Sequence, residues 1–80
     1  MIFDKKTFTD KETSILVQVM TRDIDLLNKI LEGHEGISLV TTEDARRGYV
    51  RLYTARSTQN YLLELLENFP GEIKVIYIDE

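Results

Sequence analysis

The single histidine is one of the few side chains of this sequence that could bind a metal ion. His34 lies between Gly33 and Glu35, two residues after Glu32. One imidazole and two carboxylates give fewer protein ligands than a structural zinc site uses, and nothing in the spacing fixes their geometry. We therefore interpret this segment as a solvated turn at the end of a helix, and we predict no metal site and no cofactor.

A pair of arginines is the second candidate for chemistry. Arg46 and Arg47 are adjacent, and Arg51 follows four residues after Arg47. Together the guanidinium groups could receive a phosphate or a carboxylate. Arginines in a polar loop more often form a solvated surface whose charge balances the protein's own acidic side chains. Both interpretations stay open at this point.

No residue pattern resembles a catalytic site. The chain contains no cysteine, which excludes a disulfide framework, a thiolate zinc site and a cysteine nucleophile. No nucleophile is accompanied by a base, no glycine-rich phosphate loop is present, and no pair of carboxylates is fixed by its spacing. We predict that the protein is not an enzyme.

Length and composition limit the remaining possibilities. With 80 residues there is room for one domain, and 42% hydrophobic and 30% charged residues are ordinary for a globular chain. The formal charge of −4 argues against a partner that is recognised by its phosphates. Neither a signal peptide nor a membrane-spanning stretch is recognisable, so a cytoplasmic location is expected.

The first part of the chain predicts an arm, a strand and a helix. Residues 1–13 show no clear period and are interpreted as a loosely docked or mobile N-terminal arm, and residues 14–80 as a single domain. Residues 14–20 alternate as a strand does. The wholly apolar face of this strand carries Ile15, Val17 and Val19.

The helix that follows has recognisable ends. Thr21 is the predicted N-cap, and Gly33 is the predicted C-cap in a left-handed conformation. Between them the apolar positions recur at helical spacing. The stripe that should face the core consists of Ile24, Leu27 and Leu31, with Leu26 and Ile30 beside them.

The second part of the chain predicts a hairpin, a helix and a last strand. Residues 37–42 and 49–55 alternate as strands, and the polar loop between them contains Gly48. Ser57 or Thr58 should cap a second helix, which Pro70 ends. Its apolar stripe consists of Leu62, Leu65, Leu66 and Phe69, and residues 73–78 form the last strand.

The resulting order, β-α-β-β-α-β, predicts an α+β fold of the ferredoxin-like type. This is a two-layer sandwich in which an antiparallel four-strand sheet of order 4-1-3-2 carries both helices on one face. A chain of this length hides only about 60 to 65% of its unfolded surface, so association would add stability. The first strand is expected to be central.

The sheet face that no helix covers should then be rich in apolar side chains. We expect it to form an interface with a second copy, with the N-terminal arm, or with both. The predicted interface residues are Leu16, Met20, Val40, Tyr49, Tyr53, Ile76 and Ile78. The last strand contributes Ile76 and Ile78, or in the other alternation Ile73, Val75 and Tyr77.

Tyr49, Arg51 and Tyr53 share a face of the third strand, as the base-stacking aromatics of RRM domains do. The RRM pattern requires glycine or alanine where this chain has Val50, and an aromatic residue where it has Arg51. The first strand offers Leu16 in place of its aromatic partner. RNA binding is therefore the third of our functional hypotheses.

A set of mostly structural residues carries a resemblance to known proteins. They are Asp23-Ile24, Leu27, Ile30-Leu31-Glu32-Gly33, Glu35-Gly36-Ile37, and Asp44 with Gly48. In its architecture the chain resembles ACT-like regulatory domains, which bind small molecules, and through these residues it more narrowly resembles a family of small bacterial ACT-like proteins of unknown function. The resemblance implies the fold more strongly than it implies a function.

ACT domains carry an Asp-x-x-Gly signature after the first strand, where glycine lets a ligand approach the backbone near a dimer interface. The corresponding stretch here runs from Arg22 to Asp25, with arginine at the aspartate position and aspartate at the glycine position. The carboxylate of Asp25 would repel that of an amino acid. This departure argues against binding of an amino acid in the ACT manner.

These observations lead to three functional hypotheses. The first is a non-catalytic regulatory or protein-interaction module, a homodimer or higher homo-oligomer that associates through its sheet. The second is a sensor of a small ligand, an amino acid or another anion, at a subunit interface. The residues predicted for that ligand are Arg22, Asp23, Asp25, Arg46 and Arg47. RNA binding is third.

Overall fold

A computed structural model describes residues 12–34 and 38–79 of the chain. Most of the predicted N-terminal arm, residues 1–11, lies outside the described residues, and so do Gly36 and Ile37. Glu12 and Thr13, which the sequence pattern assigned to the arm, are the first two residues of the first strand.

Six helices and strands follow one another in the predicted order. They are β1 (Glu12–Val19), α1 (Ile24–Glu32), β2 (Leu39–Asp44), β3 (Tyr49–Ala55), α2 (Gln59–Glu67) and β4 (Ile73–Asp79). The strands form one antiparallel sheet of order β2-β3-β1-β4, which is the predicted order 4-1-3-2 counted from the other edge. The predicted α+β two-layer fold is confirmed.

The core lies between the sheet and the two helices. Alternate residues of the central strands β1 and β3 are fully buried, as the period of two predicts. Both helices pack their apolar residues against the same side of these strands, so both lie on one face. The buried core consists of Ile15, Val17, Val19, Leu27, Leu31, Val50, Leu52, Leu62, Leu66 and Phe69.

The register of β2 places Val40 on the helix side of the sheet. Val40 pairs with Leu52, which is fully buried under the helices, and residues directly opposite in an antiparallel pair share a face. The assignment of Val40 to the open face is therefore wrong, and Val40 packs against the core. The pairing skips Glu43, between Thr42 and Asp44. Because of this irregularity, counting alternate residues back from β3 through the hairpin assigns the side chains of β2 to the wrong faces.

A second irregularity changes the facing of β4. Leu16 pairs with Tyr77, whereas the next residue, Val17, pairs with Val75, so that Ile76 is an extra residue in β4. Such a bulge interrupts the alternation of side chains. Neither of the two alternations predicted for the last strand is therefore correct over its full length.

Ile78 is affected directly. It pairs with Ile15, a core residue, and therefore lies on the helix side of the sheet. Its assignment to the open face is wrong, and Tyr77, opposite Leu16, is there instead. Ile78 is nevertheless 38% exposed, because β4 is an edge strand that the helices cover only in part.

The predicted caps of α1 are wrong, whereas the predicted N-cap of α2 is correct in position. Gly33 has a φ of −69°, which is right-handed, whereas Gly48 in the hairpin loop has a φ of +78°. Thr21 begins a short 3₁₀ turn, Thr21–Asp23, and makes no cap bond. Thr58 occupies the N-cap position of α2 without a side-chain cap bond, and its hydroxyl donates to the carbonyl oxygen of Ala55 at 3.0 Å.

Candidate ligand cleft at one end of the sheet

A cleft of about 1140 Å³ opens at the end of the sheet where β1 finishes and β4 begins. The β2–β3 hairpin loop forms one wall, and α2 with the segment after it forms another. The residues that line the cleft are Gln18, Val19, Met20, Thr21, Arg46, Arg47, Leu63, Leu66, Glu67, Phe69, Gly71, Glu72, Ile73, Lys74 and Val75. The predicted arginine pair is among them.

The hairpin loop is fixed against the end of β1. The backbone N–H of Val19 donates to the carbonyl oxygen of Gly48 at 2.9 Å, and Gln18 Nε2 donates to that of Arg47 at 2.9 Å. A Cβ atom on Gly48 would lie 1.8 Å from the carbonyl oxygen of Val19. Glycine therefore permits both the left-handed conformation and the close approach of the two chains.

Thr21 provides another connection to the same loop. Its hydroxyl lies 3.0 Å from the carbonyl oxygens of both Ala45 and Arg46, to which it can donate. The side chain that the sequence suggests as a helix cap therefore fastens the hairpin to the β1–α1 corner. The backbone that carries Arg46 and Arg47 is consequently held in place beside the cleft.

Replacing Thr21 with valine should lower the free energy of unfolding by about 1 kcal/mol, the usual net value of one neutral hydrogen bond. The shape of the side chain is kept, so the lost bonds to the loop cause the change. Urea unfolding followed by circular dichroism measures it. Thr41→Val, at an exposed position of β2, is the matched control, and an equal loss in both variants would contradict the assignment.

The two arginines differ in their surroundings. Arg46 makes no ion pair with any residue of the described segments 12–34 and 38–79. Arg47 Nε lies 3.8 Å from Asp44 Oδ2, and the backbone N–H of Arg47 donates to Asp44 Oδ1 at 3.2 Å. The first guanidinium is thus available to an anion, and the second is held only by a long, solvent-exposed contact.

The floor of the cleft is apolar. Val19, Leu66 and Phe69 line it and are all more than nine-tenths buried. Met20 and Val75 flank them and are each 42% exposed. A ligand that covered Met20 and Val75 would remove apolar surface from water, which favours binding.

The residues predicted for a ligand do not all meet at the cleft. Arg46 and Arg47 line it. Asp23 lies beside it, because a Cβ atom built on Gly71 would be 2.7 Å from Asp23 Oδ2. Arg22 and Asp25 are exposed and do not line the cleft. Of the corner that was compared with the ACT signature, Arg22 to Asp25, only Asp23 is therefore shown beside the cleft.

Several cleft residues were not predicted as ligand residues. Leu66 and Phe69 were assigned to the core stripe of α2, and Lys74 to the last strand, without any indication of a shared site. Their approach to the hairpin depends on the packing of α2 over the end of the sheet. The sequence signals for this approach are two turn glycines, Gly48 in the hairpin loop and Gly71 in the segment after α2.

Arg51 is occupied within the sheet. Its Nε donates to Glu43 Oε2 at 2.5 Å, and its Nη1 donates to Ser14 Oγ at 3.1 Å. The hydrogen bond that Arg51 donates to Glu43 is the main cause that raises the pKa of Arg51 above its ordinary value. Tyr49 and Tyr53 share its face, as predicted, but a guanidinium already bonded to neighbouring strands is less able to receive a phosphate.

His34 is half-buried and has a partner that the sequence did not indicate. The hydroxyl of Tyr61 lies 3.1 Å from His34 Nδ1, and the rings meet edge to face at 5.8 Å. This contact fastens the end of α1 to α2. Within residues 12–34 and 38–79, no group of three or more His, Cys, Asp or Glu side chains is placed to hold a metal ion. Glu35 lies outside those residues.

The order of elements, the single antiparallel sheet and the paired helices define a two-layer α+β fold of the β-α-β-β-α-β type. Residues 17–73 match the family described as "Domain of unknown function (DUF4911)", and the chain belongs to that family. Comparison with curated proteins and with solved structures gives no match. Within the described part of the chain, none of the helices is long and apolar enough to span a membrane.

Proposed function

We propose that this protein is a non-catalytic interaction module that pairs with a second copy of itself through β4. One observation supports this most directly. β4 is an edge strand, and its successive residues Val75, Ile76, Tyr77 and Ile78 are 42%, 42%, 56% and 38% exposed. Such an edge offers unpaired backbone groups together with apolar side chains, which favours addition of another strand.

The other edge of the sheet is less suited to pairing. β2 carries Glu43 and Asp44 at its end, and its hydrogen-bonding pattern is interrupted between Thr42 and Asp44. Charged side chains and bulges are features that disfavour the addition of a strand. The large exposed apolar residue of β2 is Leu39, at the start of the strand. The two edges therefore differ, and β4 is the more favourable one.

The charges of β4 select one register for antiparallel pairing about a two-fold axis. Lys74 of each copy would lie opposite Asp79 of the other. Both side chains are on the open face, because they pair with Gln18 and Ser14 of β1. Cross-strand pairs of opposite charge stabilise a sheet by about 0.2–1 kcal/mol each.

The same register also places apolar residues opposite one another. Val75 would face Ile78 of the other copy, and Ile76 would face Tyr77. Pairs of β-branched and aromatic side chains are favourable between strands. The arrangement would be isologous, so each contact would occur twice. A regulatory role for the pair accords with the resemblance of the chain's architecture to ACT-like domains.

Sedimentation equilibrium of the full chain tests the proposal. The wild type should be a dimer at tens of micromolar, and Ile76→Glu should be a monomer, because it buries a charge without a partner. Leu39→Glu, on the opposite edge, is the matched control and should remain dimeric. A monomeric wild type would overturn the proposal, and dissociation by Leu16→Glu but not by Ile76→Glu would assign the interface to the open face instead.

Charge reversal tests the register. Lys74→Glu and Asp79→Lys should each weaken the dimer, because each places like charges opposite one another. The double variant restores the two ion pairs in reversed order and should recover most of the lost affinity. Additive weakening in the double variant would show that these residues do not face each other.

A further inference from the structure

We infer that the cleft at the end of the sheet binds an organic monocarboxylate with an apolar body. The cleft combines an apolar floor with a few convergent polar groups, which is the usual constitution of a small-molecule site. Its volume of about 1140 Å³ leaves ample room for a ligand of this kind. The site is contained within one chain, unlike the subunit-interface site expected from the sequence.

The hairpin wall determines where the carboxylate binds. Arg46 and Arg47 stand on this wall, and guanidinium groups bind carboxylates through paired hydrogen bonds. Because Arg46 has no ion pair within the described segments, binding there displaces no ion-pair partner among those residues. Arg47 would exchange a contact of 3.8 Å with Asp44 for a closer one with the ligand.

The opposite wall limits the charge of the ligand. Glu67, at the end of α2, and Glu72, in the segment before β4, both line the cleft. Arg46, Arg47 and Lys74 oppose these two carboxylates, and the single positive charge that remains favours a monoanion over a dicarboxylate or a phosphate dianion. The apolar body would then lie against Phe69 and the more exposed Met20 and Val75, with the charged group directed towards the hairpin.

The positions of the arginines are established before a ligand arrives. The bonds from Gln18, Val19 and Thr21 hold the backbone of the loop, so that binding orders two side chains and not a whole segment. A site whose backbone is already fixed loses less conformational entropy on binding. This is the physical reason for preferring the hairpin over the more isolated Arg22 as the anion site.

NMR titration of the full chain with octanoate tests the inference. The amide resonances of Val19, Gly48 and Gly71 should shift and saturate. Octylamine, which has the same chain with a cationic head, and inorganic phosphate, which lacks the apolar body, should produce no saturable shift there. Octan-1-ol should bind about tenfold more weakly than octanoate, because it lacks the charge-assisted hydrogen bonds.

Substitution of the arginines completes the test. The double variant Arg46→Gln, Arg47→Gln should bind octanoate about tenfold more weakly, with its other resonances unchanged. Arg22→Gln is the matched control and should bind as the wild type does. An absence of saturable shifts would overturn the inference, as would equal binding of octanoate and octan-1-ol, tighter binding of octylamine, or an equal loss in the control. Lys74 and Val75 belong both to the cleft and to the proposed β4 interface, so the titration is repeated on Ile76→Glu, which keeps every residue that lines the cleft and should bind octanoate as the wild type does.

Discussion

Replacing Gly48 with alanine should lower the free energy of unfolding by about 3 kcal/mol, combining left-handed strain with overpacking. The residue has a φ of +78°, and a Cβ atom would lie 1.8 Å from the carbonyl oxygen of Val19. Backbone atoms on both sides must move to relieve this contact. The hairpin would shift away from β1 and lengthen the 2.9 Å bond between Val19 and Gly48. Urea unfolding at fixed protein concentration measures the change.

Gly33→Ala is the matched control for this substitution. Gly33 has a right-handed φ of −69°, and a Cβ atom there would be 3.4 Å from its nearest neighbour, the carbonyl oxygen of Ile30. Alanine should therefore be tolerated, with a gain of up to about 0.5–1 kcal/mol from the restricted unfolded chain. A large loss at Gly33 and none at Gly48 would reverse the two conformational assignments.

Leu62→Ala should lower the free energy of unfolding by about 3 kcal/mol, within the range for a buried leucine. Leu62 is fully buried and lies in α2 among the core residues of both layers. The loss consists of the transferred apolar surface and of the cavity that remains. For a domain of this size the thermal midpoint should fall on the order of 15 °C, as circular dichroism can measure.

Leu26→Ala makes the same chemical change at a helical position that is 39% exposed. Its cost should be below about 1 kcal/mol, because less surface is lost and alanine is favourable in a helix. A comparable loss in both variants would indicate that α1 is covered by another surface in solution. The comparison therefore also tests the exposure of the helix layer.

The fold could be predicted from the sequence because its apolar residues recur with a clear period in most strands and helices. Ile15, Val17 and Val19 alternate without interruption, and Leu62 and Leu66 follow helical spacing, so each buried face was identified correctly. The facing of β2 and β4 was not accessible in the same way. Their bulges, at Glu43 and Ile76, depend on pairing with other strands. Each bulge reverses the sheet face on which the side chains beyond it lie.

The glycine assignments show the limit of local patterns. A glycine after an apolar helical stripe commonly adopts a left-handed C-cap, which is why Gly33 was selected. In the structure the helix ends without that conformation, and Gly48 adopts it at the hairpin. The decisive influence on Gly48 is the nearby β1 backbone, which is distant in the sequence.

The candidate site was predicted only where its residues are adjacent in sequence. Arg46 and Arg47 form a visible pair, and both line the cleft. The apolar floor comes from β1, from α2 and from β4, and no sequence spacing joins these segments. Arg22 and Asp25 were included by analogy with a ligand corner, and the structure leaves both outside the cleft.

The irregular end of β2 also bears on how far association can proceed. If two copies join through β4, the outer strands of the combined sheet are both β2, each with a bulge at Glu43 and the carboxylate of Asp44. Bulges and like charges oppose further strand addition at these ends. Growth into an open filament is therefore disfavoured, and even at high concentration the assembly should keep a finite stoichiometry of two chains.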